Sequence, residues 1–313
     1  MDSQANSSMD FDPRFVERAK KLLGSELKTF LEFCKKPLKD AIRVNTIKIN
    51  KERLIKKLKA KGWILKQIPW YQDGLWIERG RSDLGNTLEH FLGYYYVQGA
   101  ASMIPPLILN PKSGEIILDL CAAPGSKTTQ MAQLMENKGV IVANDRYLYR
   151  ILALRANLQR CGVINTIVTR MDGVRFKKVK QKFDKVLVDA PCSSEGIIRE
   201  DLNLIKKWNL NFIKRLSALQ KKLIEAGFER LKEDGILVYS TCTLAPEENE
   251  AVVDYLVRNF DAKIEEIRLK QIKARPGITE WMGKKFVKGI SKCWRIYPQD
   301  NNTEGFFIAK LRK

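Results

Sequence analysis

Five short apolar runs, each followed by a helix-forming stretch, constrain the fold of this chain most. They are EIILDL (115–120), VIVAND (140–145), TIVTRMD (166–172), KVLVDA (185–190) and GILVYS (235–240). Apolar runs of this length, rich in branched residues and weak in polar alternation, read as strands buried on both faces. Helices are expected at 126–136, 147–161, 208–232 and 247–259. Strand–helix alternation of this kind gives an α/β, doubly wound parallel sheet. A last pair, WRIYP (294–298) and GFFIAKL (305–311), reads as a hairpin added to it. No internal repeat or low-complexity segment interrupts the pattern.

A smaller unit precedes the sheet. RVNTIKI (43–49) alternates like a strand, and Asn50 is placed to cap a helix over 51–61 that Gly62 ends. WILKQIPW (63–70) and LWIE (75–78) read as strands flanking an Asp73-Gly74 turn. This β-α-β-β order, behind a helical arm at 13–34, suggests a small α+β module over residues 1–95, with the larger domain over 96–313. Basic residues interleave there with Trp63, Trp70, Tyr71 and Trp76, a mixture that suits RNA contact or simply a core.

Composition narrows the partners. The 313 residues carry a net charge of +20, spread over both halves of the chain. That favours a polyanion, most often nucleic acid, over a merely solubilising surface. No apolar run approaches the roughly 20 residues that span a bilayer. The N-terminus MDSQANSSMDFDP lacks the pattern of a signal peptide, so a cytoplasmic protein is expected. The six cysteines are irregularly spaced and His90 is the only histidine. Without close ligand pairs no metal site is expected, and no disulfides are needed.

The chemistry gathers at the strand ends. LDLCAAPGSKT (118–128) follows the first strand of the sheet and opens a helix. Ala122, Ala123 and Gly125 are small enough for close backbone approach to a ligand, and the helix start offers free N–H groups. The loop matches neither of the glycine-rich phosphate motifs, which points to a nucleoside without pyrophosphate. Acids close four successive strands: Asp119, Asp145, Asp172 and Asp189. Asp145 is placed to accept both ribose hydroxyls. Repeated carboxylates repel phosphate but suit a cationic sulfonium, and S-adenosylmethionine fits that description. Cys192, in DAPCSSEG, and Cys242, in STCTLAPEENE, each lie just past a strand end, at the sheet edge where ligands bind. With no CxxC motif, two thiols there point to covalent chemistry on a substrate.

With the loop and both thiols placed, the chain resembles the RNA 5-methylcytosine methyltransferases of the NOL1/NOP2/Sun family. The segments that carry the resemblance are RVNT (43–46), YYVQGAAS (95–102), LDLCAAPGSKT, AND (143–145), DAPCS (189–193) and STCT (240–243). The resemblance implies a Rossmann-like class I methyltransferase domain behind an RRM-like N-terminal domain, and no appended module is expected. It implies that Cys242 is the nucleophile and that Cys192 assists product release. It places the cofactor on Cys121, Ala122, Ala123, Pro124, Gly125, Ser126 and Lys127, with Asp145 on ribose and Asp172 by the adenine. Asp189 lies at the junction of cofactor and base, and Arg150 is another cofactor-side residue. Gly99 departs from the polar residue expected after Val97-Gln98.

The chemistry explains the residue types. A thiolate adding to carbon 6 of cytosine makes carbon 5 nucleophilic. Asp189 is the candidate donor to ring nitrogen 3, for which it must be protonated in a site shut off from water. The basic stretches 175–183 and 205–222 could grip phosphates, and Glu195, Arg199, Glu200 and Asp201 could face RNA or only solvate their loop. The reading is a monomeric RNA cytosine-5 methyltransferase acting on tRNA. The rivals are an rRNA enzyme and a non-catalytic RNA-binding assembly factor. A DNA enzyme would use the PC cysteine as nucleophile and carry an ENV motif, which is not found. A cysteine hydrolase lacks a histidine partner near the thiols.

Overall fold

The computed structural model describes residues 11–81, 83–201, 203–206 and 208–313. The polar start of the chain (1–10) lies outside the described residues, as do the side chains of the 205–207 part of the second basic stretch. The arm begins at Asp12, whose carboxylate accepts from Arg14 N at 2.8 Å ahead of Pro13 at the first helical turn. Helices α1 (Pro13–Leu23) and α2 (Leu27–Lys35) follow. Phe15, Ala19 and Leu23 recur every fourth residue, so they share one face. That face packs with Phe30, Cys34, Trp208, Leu244 and Tyr297, which docks the arm on the larger domain.

The first sheet is built from β1 (Ala41–Val44), β2 (Ile64–Gln67), β3 (Gly74–Arg79) and β4 (Tyr95–Val97), with α3 (Lys51–Ala60) after β1 and a short α4 (Leu88–Phe91) before β4. The order is β2-β3-β1-β4 and every neighbour is antiparallel. Asn50 caps α3 by accepting from Arg53 N at 2.9 Å, and Gly62 follows the helix at φ 82°. β1 is shorter than the expected 43–49. Asn45 leaves the ladder because its buried amide donates to Gly93 O and Cys161 O, each at 2.8 Å.

Both faces of this sheet are covered. One packs on α3 through Ile42, Val44, Leu54, Leu58 and Ile77. Each fully buried leucine there is worth about 2 kcal/mol. The other face packs on the larger domain through Ala41, Trp70 and Trp76. Trp63, Trp70, Tyr71 and Trp76 are all buried, so of the two roles open to them, RNA contact or core, the structure gives them the core. Between the units lies Arg43, with no exposed surface. Its Nε donates to Gln98 Oε1 at 2.9 Å, Nη1 to Gln133 Oε1 at 2.6 Å and Nη2 to Thr129 Oγ1 at 2.6 Å.

After α5 (Ile104–Leu109) comes the larger sheet. Its parallel strands are β5 (Ile116–Asp119), β6 (Val140–Asp145), β7 (Thr166–Arg170), β8 (Phe183–Asp189) and β9 (Leu231–Thr241). Helices α6 (Ser126–Leu134), α7 (Leu148–Cys161), α8 (Asn203–Lys206), α9 (Leu210–Glu229) and α10 (Glu250–Asn259) connect and follow them. Short strands β10 (Lys263–Glu265) and β11 (Arg275–Pro276) precede a two-stranded hairpin of β12 (Glu280–Trp281) and β13 (Lys284–Lys285). The expected final pair is β14 (Trp294–Ile296) and β15 (Phe306–Arg312), antiparallel, with α11 (Pro298–Asn301) between them. The order is β11-β14-β15-β9-β8-β5-β6-β7, with β10 also on β15. The chain runs outward from β5 through β6 and β7, then returns to β8 on the opposite flank of β5. Ligands in such sheets bind above that switch point. Asp119 and Asp189 end the two strands that flank it.

Candidate active site

β8 and β9 are parallel neighbours with Asp189 opposite Ser240, so the two cysteine segments leave the sheet side by side. Cys192 Sγ and Cys242 Sγ lie 3.1 Å apart, and both are free thiols. The hydrogen bond with Cys242, then burial, pushes the Cys192 thiol well above its ordinary value. Cys242 Sγ also donates to Ser194 Oγ at 3.8 Å. Glu248 holds the turn that carries Cys192. Its Oε2 accepts from Ser193 N at 3.0 Å and from Gln220 Nε2 at 2.8 Å, and that amide also donates to Pro191 O at 2.8 Å. Burial raises the Glu248 carboxyl to about 7. Sequence reasoning missed this residue; the acidic run after the TC motif was the available signal.

Asp189 is arranged differently from the expectation. Its Oδ2 pairs with Lys127 Nζ at 2.7 Å, and its Oδ1 accepts from Ser240 at 2.7 Å. The side chain keeps 27% exposure. An ammonium stands at one oxygen and a hydroxyl donor at the other, so both oxygens of Asp189 act as acceptors here. Lys127 Nζ also donates to Ser102 Oγ at 3.0 Å.

The cofactor loop wraps the same strand ends. Asp119 is buried; its Oδ2 accepts from Thr128 at 2.7 Å, while Oδ1 has no partner among the described residues. Burial raises this carboxyl to about 7 and pushes the Cys121 thiol upward as well. Asp145 Oδ1 accepts from Tyr147 N at 3.1 Å, and Oδ2 lies 3.3 Å from Arg150 Nη1 without hydrogen-bond geometry. Arg150 donates to Ala123 O as well, so it ties the loop to β6. Asp172 caps a 3-10 turn by accepting from Val174 N at 3.2 Å. Buried Asn144, not foreseen, donates to Leu120 O at 3.1 Å and Met171 O at 2.9 Å and so fastens three strand ends together. Gly125 sits at φ 107°, and an added Cβ would come within 2.9 Å of Leu154 Cδ1. Packing on α7 and backbone conformation, rather than ligand approach, account for that glycine.

Two cavities meet at Cys242. One, of about 430 Å³, is lined by the Cys121–Lys127 loop apart from Gly125, by Asp119, Arg150 and Asp189, and by both cysteines. Asp145 and Asp172 do not line it, although Asp145 touches Arg150, which does. The other, of about 320 Å³, shares Lys127, Asp189 and Cys242 and continues past Gly99, Glu200 and Glu304. A larger space of about 940 Å³ lies at the opposite strand ends. It holds no thiol, and its charges pair with one another, as in Lys232–Asp184 at 2.7 Å and Lys185–Glu115 at 3.0 Å. Chemistry, not size, therefore locates the site.

The loop after the PC motif is more structural than expected. Glu195 is buried and accepts from Trp208 Nε1 at 2.7 Å. Arg199 is buried and donates to Lys36 O, Pro37 O and Thr303 O, which pins the loop to the arm and to β15's approach. Glu200 alone of the four lines the second cavity. His90 lies on α4 beside Tyr95, with ring centroids 5.7 Å apart, in the first module. In the basic stretch 175–183, Arg175, Lys178 and Lys180 are exposed around buried Phe176. Among the described residues no cluster of three metal-ligating side chains occurs, and no helix is long and apolar enough to cross a membrane.

Comparison with known proteins gives the family. The model described as 16S rRNA methyltransferase RsmB/F matches residues 106–312, about two thirds of the chain. The chain belongs to this family of RNA methyltransferases. The N-terminal domain of 16S rRNA methyltransferase RsmF matches 11–100. A relative from Pyrococcus abyssi named tRNA (cytosine(49)-C(5))-methyltransferase is 47% identical and spans 96% of both chains. Ribosomal RNA small subunit methyltransferase F of Vibrio campbellii is 42% identical over 96% of this chain, which spans 62% of that relative's length. Among solved structures, a methyltransferase homolog from Pyrococcus horikoshii aligns with TM-score 0.87 at 39% identity, covering 97% of this chain and 96% of that one. NSun6 from the same organism, solved with SFG, aligns with TM-score 0.86 at 29% identity, covering 97% and 98%. The Rossmann-like fold expected of an RsmB/F enzyme is the fold observed, and the family is one of RNA cytosine-5 methyltransferases.

Proposed function

We propose that this protein methylates carbon 5 of a cytosine in tRNA, as a cytoplasmic monomer, using S-adenosylmethionine and a covalent cysteine adduct. The observation that carries the chemistry is the pair of thiols 3.1 Å apart, both lining the larger of the two cavities, with Cys242 lining the smaller one as well. The smaller cavity takes the base and the other the cofactor. The choice of tRNA rests on the Pyrococcus abyssi relative, whose 47% identity exceeds the 42% of the Vibrio campbellii rRNA relative. An rRNA target is the second reading, favoured by the rRNA relatives' 40–43% identity.

The residues present fit the cofactor. The unpartnered Asp119 Oδ1 and the carboxylates of Asp189 and Asp145 suit a cationic sulfonium and ribose hydroxyls, with the Cys121–Lys127 loop as floor. Asp172, the residue that the resemblance puts by the adenine, stands outside the lining of this cavity. S-adenosylmethionine held there supplies an electrophilic methyl group. The chain does the rest. Cys242, on the base side, adds its thiolate to carbon 6. Lys127 donates to ring nitrogen 3 as charge develops there, and Asp189 orients Lys127. Once carbon 5 is methylated, a base takes its proton, the freed electron pair restores the carbon 5–carbon 6 double bond, and Cys242 leaves carbon 6 as a thiolate that can take a proton from the Cys192 thiol. Cys192, in contact with Cys242 and short of thiolate character, is placed to take part in that elimination.

Incubation with labelled S-adenosylmethionine and tRNA or rRNA tests this reading. Cys242→Ala is expected to abolish transfer, and Cys192→Ala to accumulate a covalent protein–RNA adduct visible on a denaturing gel. Undiminished labelling by Cys242→Ala would overturn the nucleophile. Label on rRNA alone would favour the second reading, and no label on any RNA would favour a binding factor.

A further inference from the structure

The base-side cavity presents a puzzle of charge. Its occupant arrives on a polyanion, yet besides Asp189, which is paired with Lys127, two further carboxyl groups, Glu200 and Glu304, line the cavity that Cys242 also lines. Glu304 is 3% exposed, and its Oε2 accepts from Ala101 N at 3.1 Å. Its Oε1 lies over the bare Cα of Gly99, where an added Cβ would come within 1.3 Å. Gly99 therefore seats this carboxylate, and the departure noted in the sequence has a steric cause. A carboxylate fixed in this way repels phosphate and accepts N–H groups.

We propose that Glu304, seated over Gly99, accepts a hydrogen bond from the 4-amino group of the target cytosine and so selects cytosine over uracil. Cytosine presents a donor at position 4 and an acceptor at ring nitrogen 3. Uracil presents the reverse, an acceptor and a donor. The cavity offers an acceptor in Glu304 and a donor in Lys127, which stands 5.3 Å from the ring centre of Phe306, two residues beyond Glu304. Uracil would face a carboxylate with O4 and an ammonium with N3–H. Mismatch at buried polar groups is what gives sites of this kind their largest discrimination.

The inference rests on the reading that this cavity receives the target base. The test uses the full chain with S-adenosylmethionine and two tRNA transcripts. They are identical except for cytidine or uridine at the position that the wild type methylates. Wild type is expected to leave the uridine twin at background. Glu304→Gln keeps the shape but can turn an amide N–H toward O4. It is expected to lose about tenfold to a hundredfold in kcat/KM on the cytidine twin, and to narrow the cytidine-to-uridine ratio at least about tenfold. A ratio equal to the wild type's, whatever the rate, overturns the proposal. Affinity for S-adenosylmethionine, whose cavity Glu304 does not line, should stay unchanged and reports folding. Should Glu304→Gln fail that control, Gly99→Ala carries the test, because its methyl group displaces the carboxylate and should narrow the ratio likewise. If the wild type methylates no RNA, the underlying reading falls and this proposal with it. Methylation with unaltered selectivity fells this proposal alone.

Discussion

The Asp119 carboxyl shows how a single residue couples the site to stability. Burial raises it from 3.8 to about 7, so the folded state holds a proton that the unfolded chain releases above about pH 4. Ionised, the group costs stability. The cost is absent below pH 4, grows as pH rises to 7 and is then constant, at most about 4 kcal/mol. Asp119→Asn keeps the Thr128 contact and removes the charge. It is expected to melt several degrees higher than wild type at pH 8, with the gain vanishing near pH 4, by calorimetry without ligand. The same variant should bind S-adenosylmethionine about tenfold more weakly, because the unpartnered oxygen is lost. At this scale the sequence was legible for the motif residues. LDLCAAPGSKT, DAPC and STC each stand next to an apolar run, so their place at strand ends follows from local pattern. Their partners were not legible. That Asp189 faces Lys127, 62 positions away in the chain, depends on how two strand ends lie together.

At the scale of elements, the packing of the first sheet decides what it can contact. Its aromatic residues suited either RNA contact or a core, and the core takes them because one face meets α3 and the other the larger domain. The seam between the units rests on Arg43, whose three donor groups serve Gln98, Gln133 and Thr129. Arg43→Ala leaves those acceptors buried without a donor and is expected to cost about 3–5 kcal/mol in urea unfolding. Arg43→Lys should rescue little, because one ammonium cannot reproduce the planar fork. What the module still exposes is charge: Arg53, Lys56, Lys57 and Lys59 lie on the outer side of α3. Reversing Lys56 and Lys57 to Glu is expected to raise KM for RNA several-fold while leaving kcat and the melting temperature near wild type. Steady-state kinetics and a thermal melt check both.

For the whole molecule, the charge of +20 predicts an affinity for RNA that falls steeply with salt, since each neutralised phosphate releases condensed counterions. The logarithm of the RNA association constant should fall linearly with the logarithm of salt concentration. Binding of S-adenosylmethionine, confined to a pocket, should change little over the same range. Filter binding and calorimetry between 50 and 200 mM salt, about the span over which such losses become large, would compare the two.

The sequence by itself determined the alternating α/β architecture, the order of the motifs and the basic character, because periodicity, strand-end residues and net charge are local or additive properties. Tertiary structure alone decided the 3.1 Å contact of the two thiols, the pairing of Asp189 with Lys127, the burial of Trp70 and Trp76, and the seating of Glu304 over Gly99. Each of these joins segments far apart in the chain. Which distant side chains meet depends on strand order at the switch point and on which sheet face is covered, and neither is written in any single stretch of residues.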